Sequence, residues 1–170
     1  MNNIVLIGMP GCGKSTIGVV LAKRLGYKFI DSDLLIQDKH GKTLEELIDE
    51  HGDAGFIQIE NDVNCSIEAE RTIIATGGSV VYGEQAMEHL KSIGTVVYLE
   101  VSEEEIEERL GSLKERGVVS NGKTTVMEIF EDRKNLYRKY ADVTFRQNGR
   151  VLRECVEALC DIITNKDDNY

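Results

Sequence analysis

Between the apolar run Asn3-Ile4-Val5-Leu6-Ile7 and a helical pattern that begins near Lys14, the chain reads Gly8-Met9-Pro10-Gly11-Cys12-Gly13-Lys14-Ser15. Every fixed position of G-x-x-x-x-G-K-[ST] is filled. Glycines let the backbone turn so that successive N–H groups converge, which makes a positively polarised nest. The helix that follows adds the positive end of its dipole at the same point. Such a cradle holds phosphate oxygens. Lys14 supplies a point charge for the outer phosphates of ATP, with Gly11, Cys12, Gly13 and Thr16 completing the nucleotide-binding loop. The Ser15 hydroxyl is placed to ligate Mg2+. A thiol beside a helix N-terminus and a lysine can acquire a lowered pKa. The plainer role of Cys12 is a small residue in a variable loop position.

A pair of carboxylates follows the second apolar run, in Phe29-Ile30-Asp31-Ser32-Asp33. Side chains at the carboxyl end of a parallel strand face the crevice where α/β sheets bind ligands. Strand alternation puts Asp31 and Asp33 on one side and Ser32 on the other. One aspartate can sit near a magnesium ion gathered at Ser15. The other can reach a substrate hydroxyl and orient or deprotonate it for attack on the terminal phosphate. Capping of the next helix is the structural alternative for both.

The elements that must position these groups are legible as alternating short apolar runs and helical patterns. Strands are expected at Asn3–Ile7, Tyr27–Ile30, Thr72–Ala75, Thr95–Leu99 and Val143–Phe145. Ile17, Val20, Leu21 and Leu25 recur at helical spacing, and Gly26 ends that helix. Thr43 with Glu46, and Ser102 with Glu105, have capping-box spacing. Strict alternation implies an α/β fold with a parallel sheet covered on both faces. Residues 111–123 read GSLKERGVVSNGK, a glycine-rich stretch between helical patterns that suits a mobile flap.

At 170 residues the chain suits one domain, residues 1–170, large enough for its own core. A net charge of −10 argues against duplex DNA or an anionic membrane as partner. Four cysteines without a C-x-x-C pair, and three scattered histidines, give no zinc spacing and suit reduced thiols. The first apolar run is too short for a secretory leader, and no run approaches the ~20 residues that span a bilayer. A soluble, cytoplasmic monomer is expected.

Taken together in this order, the motifs resemble the shikimate kinase family, small P-loop kinases of the nucleoside monophosphate kinase fold. The likeness includes the cradle, the Asp31-Ser32-Asp33 pair, Gly52-Asp53-Ala54-Gly55-Phe56, Glu60 and Ala75-Thr76-Gly77-Gly78. It continues through Arg116, Arg133-Lys134-Asn135-Leu136-Tyr137, Ala141-Asp142 and Gly149-Arg150. The resemblance implies a three-layer fold with a five-stranded parallel sheet, a substrate-binding region near residues 33–61 and a lid near residues 110–124. It implies transfer of phosphate from ATP to shikimate, in aromatic amino acid biosynthesis. By position, Asp33 touches the substrate hydroxyls, Asp31 helps organise magnesium, and Gly77 and Gly78 approach the substrate. Arg133 holds its carboxylate, Arg116 meets the transferring phosphate, and Arg109 and Arg150 lie along the adenine.

Several positions depart from the family pattern. Ile57 stands where the family has an arginine that clamps the acid substrate, while the glutamate that braces it survives as Glu60. Losing a charge-assisted contact of that kind costs about 1.5–3 kcal/mol. Ser79 replaces a third glycine, Gly117 and Asn135 replace prolines, and Val118 and Val119 replace leucines. These changes open a second acceptor class, a less anionic alcohol or one bearing an amine. A nucleoside monophosphate acceptor needs several arginines, and residues 34–62 contain none. A regulatory module that binds ATP without transfer is the remaining rival, against which Lys14, Ser15, Asp31, Asp33 and Arg116 all speak.

Overall fold

The computed structural model describes residues 3–110 and 118–167. Strands β1 (Asn3–Ile7), β2 (Lys28–Asp31), β3 (Thr72–Ala75), β4 (Gly94–Glu100) and β5 (Val143–Arg146) form one parallel sheet in the order β2-β3-β1-β4-β5. β1 is its centre, with Val5 opposite Ile74 of β3 and Val96 of β4. All five of its residues are buried, as expected of a strand covered on both faces. β1 is flanked by β3 on one side and β4 on the other. Its carboxyl end is therefore the point where connections diverge and a crevice opens.

The helices are α1 (Lys14–Leu25), α2 (Ser32–His40), α3 (Leu44–Cys65), α4 (Glu84–Ile93), α5 (Glu103–Leu110), α6 (Val126–Tyr140) and α7 (Leu152–Asp167). α1 ends as expected, with Gly26 left-handed and its N–H returned to the Ala22 carbonyl. It lies close on the sheet because Gly18 has no Cβ, which would come within 2.8 Å of the Phe29 ring. α3 opens on the Thr43–Glu46 capping box and bends at Gly52, whose φ is 69°. The Ser102–Glu105 pair forms both bonds of its box, and a third box, Thr125 with Glu128, starts α6. A second, smaller apolar cluster of Ile36, Leu47, Phe56, Val63 and Val119 joins α2, α3 and the chain before α6.

One side chain ties the amino end of the sheet. Asn3, 2% exposed, donates to the Ala69 and Ile93 carbonyls at 2.7 and 2.9 Å and accepts from the Thr72 N–H at 3.1 Å. Asn3→Leu keeps the volume but strands these three groups. It is expected to destabilise by about 3 kcal/mol, or roughly 6–12 °C in Tm for a chain of this size. Thermal unfolding followed by circular dichroism measures it, and an unchanged Tm refutes the assigned role.

Candidate active site

The glycine-rich loop leaves β1 and wraps the start of α1. Gly13, at its N-cap, has φ of 96°, a conformation open to glycine and strained for other residues. Lys14 is 7% exposed, and its ammonium donates to the Gly8 and Met9 carbonyls at 2.8 and 2.9 Å. Cys12 is buried beneath the loop. Its carbonyl accepts from Gln147 Nε2 at 2.6 Å, which stitches the segment after β5 to the cradle. Ser15 Oγ donates to Asp31 Oδ2 at 2.6 Å, so the last residue of β2 reaches the mouth of the loop.

Strand alternation does not explain the two aspartates, because the strand stops between them. Asp31 ends β2 and caps α2, its Oδ1 accepting from the Asp33 and Leu34 N–H groups at 3.0 and 3.4 Å. Asp33 lies in the first turn of α2 and turns into the cavity. Burial, then the Asp31 charge, push its pKa up to about 6 against the opposing pull of Lys14.

The turn after β3 forms the opposite wall. Thr76 fixes it to β1 by donating N–H and hydroxyl to the Leu6 carbonyl. The Tyr137 hydroxyl donates to the Gly78 carbonyl at 2.6 Å, and its ring stacks on Tyr98. Gly77 lets two acid side chains pack close to the backbone. A Cβ there would lie 2.2 Å from Glu60 Oε1 and 2.7 Å from Asp33 Oδ1. Glu60, on α3, is 1% exposed and accepts from the Ser79 hydroxyl at 2.5 Å through Oε2. Burial pushes its pKa up to about 7, with Asp33 adding to the rise and Ser79, Arg133 and Lys14 opposing it.

Arg133 is 1% exposed on α6. It donates to the Val119 carbonyl at 2.6 Å and to the Tyr82 hydroxyl at 3.4 Å, with its guanidinium over the Tyr82 ring. Tyr82 in turn donates to Asp132. A cavity of about 360 Å³ joins the two halves. Gly11, Gly13, Lys14, Ser15 and Thr16 line one side, and Asp33, Glu60, Gly77, Gly78 and Arg133 the other. Pro10, Leu44, Phe56, Val118 and Val119 close it with apolar surface.

The family model for shikimate kinase covers residues 10–164. A shikimate kinase of Clostridium botulinum (strain Eklund 17B / Type B) is 39% identical over 166 residues, 96% of this chain and 98% of that one. The chain belongs to the shikimate kinase family. The solved shikimate kinase of Acinetobacter baumannii, in complex with shikimate, superposes with a TM-score of 0.87 at 32% identity, covering 98% of this chain and 94% of that one. The Aquifex aeolicus shikimate kinase gives 0.82 at 31% identity, with 97% and 98% covered. The chain is accordingly a P-loop kinase, an ATP-binding phosphotransferase of shikimate kinase type with the three-layer α/β fold. No helix among the described residues is long and apolar enough to cross a membrane.

Not every expected site residue of this shikimate kinase relative comes to the cavity. Ile57, expected at the substrate, is half-buried against the second apolar cluster and is absent from the cavity wall. Arg150 is exposed, lies over the Phe145 ring and donates to the Arg146 carbonyl, away from this cavity. Cys12 serves the loop through its carbonyl, since its sulfur is buried. Arg116 and the Arg109 side chain fall outside the described residues. Gln147 and Tyr82 hold the site and have no local sequence signal, whereas Tyr137 lies in a run that carries the family resemblance. The end of the glycine-rich flap is described and docks on α3, where Asp53 accepts from the Asn121 N–H at 2.6 Å.

The raised acids have a consequence for stability. Unfolded carboxylates titrate near pH 4, whereas Glu60 and Asp33 titrate near 7 and 6 in the folded chain. The folded form therefore binds more protons in between. Their destabilising effect is absent below about pH 4 and complete above about pH 8. At about 1.4 kcal/mol per unit, Glu60 contributes on the order of 3 kcal/mol. Glu60→Gln is expected to shrink the fall in Tm between pH 5 and pH 8; an unaltered fall rules out the buried, neutralised state.

Proposed function

We propose that this chain transfers the terminal phosphoryl group of ATP to a ring hydroxyl of shikimate, giving shikimate 3-phosphate. Arg133 carries the choice of acceptor. It is a buried cation facing the same cavity as the phosphate cradle, and no carboxylate is hydrogen-bonded to it among the described residues. A buried charge needs a counter-charge, and an acid acceptor brings one. That the solved Acinetobacter baumannii relative holds shikimate supports the same choice.

In this reading the loop amides of Gly11, Gly13, Lys14, Ser15 and Thr16 hold the nucleotide phosphates, and the Lys14 ammonium exchanges its two carbonyl partners for phosphate oxygens. Ser15 and Asp31 would hold Mg2+. They set two hard oxygen donors side by side at the mouth of the cradle, and magnesium commonly takes one or two protein ligands plus phosphates and water. When bound, the ion neutralises charge on the phosphate oxygens. Asp33 accepts the proton of the attacking hydroxyl, and a pKa of about 6 makes it a stronger base than an ordinary aspartate while leaving it mostly ionised near neutrality. Gly77 and Gly78 allow the substrate to approach the backbone, and Arg133 fixes the carboxylate end. Arg116 reaches the transferring phosphate, with Arg109 and Arg150 on the adenine side, on the strength of the family resemblance. Val118 and Val119 keep water from competing as acceptor.

An ADP-release assay with shikimate tests the reaction; no turnover excludes shikimate as the acceptor. Asp33→Asn is expected to lower kcat by about 10²–10⁴-fold while calorimetry finds ATP affinity within about twofold of the parent. Transfer at the parent rate would remove Asp33 as the base. Ile57→Arg, three residues from Glu60 on α3, is expected to lower KM for shikimate by about tenfold or more. An unchanged KM means that this position does not reach the acceptor.

A further inference from the structure

Arg133 is held from behind by two side chains that the transfer itself does not use. Tyr82 ends the short 3-10 turn Val80–Tyr82 after β3, and its ring faces the guanidinium, with Arg133 Cζ 5.3 Å from the centroid. The Tyr82 hydroxyl accepts from Arg133 Nε at 3.4 Å and donates to Asp132, which is exposed on α6. Adjacent residues of a helix do not face each other, so Asp132 and Arg133 meet through this hydroxyl. A hydroxyl has one proton and two lone pairs, and an ionised aspartate can only accept. Asp132 therefore takes the proton and leaves a lone pair turned to Nε.

The rest of the guanidinium is turned to residues of the cavity wall. Nη2 donates to the Val119 carbonyl at 2.6 Å, the Tyr137 hydroxyl lies beside the group, and Nη1 comes within 3.1 Å of the place a Gly78 Cβ would take. Gly78, Val119 and Arg133 all line the cavity, whereas Tyr82 and Asp132 do not. A planar fork grips a carboxylate well only when its plane is set, and a long arginine side chain has several torsions by which to lose it. We propose that Tyr82 and Asp132 are positioning residues for Arg133, fixing the plane in which its guanidinium meets the carboxylate of an acid acceptor. Tyr82 supplies the ring face and the acceptor for Nε, and Asp132 orients the hydroxyl. The inference rests on the acid-acceptor reading above and adds to it a pair of residues that act only through Arg133.

Calorimetry with shikimate, with its primary amide and with ATP on the parent chain, Tyr82→Phe and Asp132→Ala, beside kcat and KM for transfer, tests this. Tyr82→Phe keeps the ring and removes the acceptor for Nε. It is expected to raise Kd and KM for shikimate about three- to tenfold, with kcat and the Kd for ATP within about twofold of the parent. Asp132→Ala is expected to raise them similarly, and the double variant no more than either alone, since both act through one hydroxyl. The amide brings no charge, so the parent is expected to bind it about tenfold or more weakly than shikimate, and the variants to lose about twofold at most beyond that. A contact that merely stapled the turn to α6 would weaken both ligands alike. The inference is overturned if Tyr82→Phe leaves the Kd for shikimate within about twofold, if the amide suffers the same loss as shikimate, or if the losses of the two variants multiply. Should Tyr82→Phe fail to fold, Asp132→Ala at its exposed position decides the matter by the same limits. Binding of shikimate without turnover removes the kinase reading and leaves this inference to the calorimetry; no binding of shikimate to the parent overturns it.

Discussion

Two buried cations, Lys14 and Arg133, are held by main-chain carbonyls, and the site is organised around that choice. The chain carries a net charge of −10, so carboxylates are abundant. Exposed basic side chains use them freely: Lys42 with Glu50, Lys91 with Asp142, Arg138 and Arg146 with Glu100, and Arg153 with Glu157. Such surface pairs contribute little, about 0–1 kcal/mol each. Inside the cavity the partners are instead carbonyl dipoles, which reduce the desolvation cost of a cation without cancelling its charge. An anion that enters therefore meets the full attraction, in surroundings that screen it less than water does. This is how an acidic protein can gather a polyphosphate and an acid in one cleft.

Those cations stand where they do because a parallel sheet sends its chemistry to one edge. The loops after β1, β2 and β3 open on the same side, and hydrogen bonds between distant segments lock them together. Thr76 reaches the Leu6 carbonyl, Tyr137 the Gly78 carbonyl, and Gln147 the Cys12 carbonyl. Each of these donors is buried. The backbone that faces the ligands is thus fixed from behind by the fold, which is what preorganisation for charge stabilisation requires.

The legibility of this in the sequence followed a simple division. Features set by neighbours in the chain could be read: β1 and β3 at their observed bounds, the Gly26 cap, two capping boxes and the phosphate cradle. Features set by packing could not. Asp31 and Asp33 were expected together from strand alternation, yet they reach their places through a strand end and a helix turn, because the Asp31 side chain caps α2 and stops the strand there. Arg133 is pointed to the acceptor by the family resemblance alone, since its charged neighbours carry no such signal, and packing turns its side chain inward under Tyr82. Gln147 sits in a polar segment and carries no motif; its role exists only once β5 lies near the cradle. Ile57 illustrates the reverse, since the family resemblance places it at the substrate while its apolar surface joins Phe56 and Leu47 in the second cluster.

The departures at residues 57 and 79 make physical sense together with the Glu60 that the family pattern keeps. Removing one member of a buried ion pair alone is costly, about 3–5 kcal/mol, because the survivor keeps its charge. Two features here soften that penalty. The Ser79 hydroxyl satisfies one oxygen of Glu60, and burial raises the acid to about 7 so that it sheds its charge for much of the time near neutrality. Meanwhile Ile57 adds apolar contact to the second cluster. With Glu60 neutral, Lys14 and Arg133 outweigh Asp33 within the cavity, and the field there still favours an anion. Ile57 in place of an arginine thus leaves in place the attraction that Lys14 and Arg133 exert on an anion in the cavity.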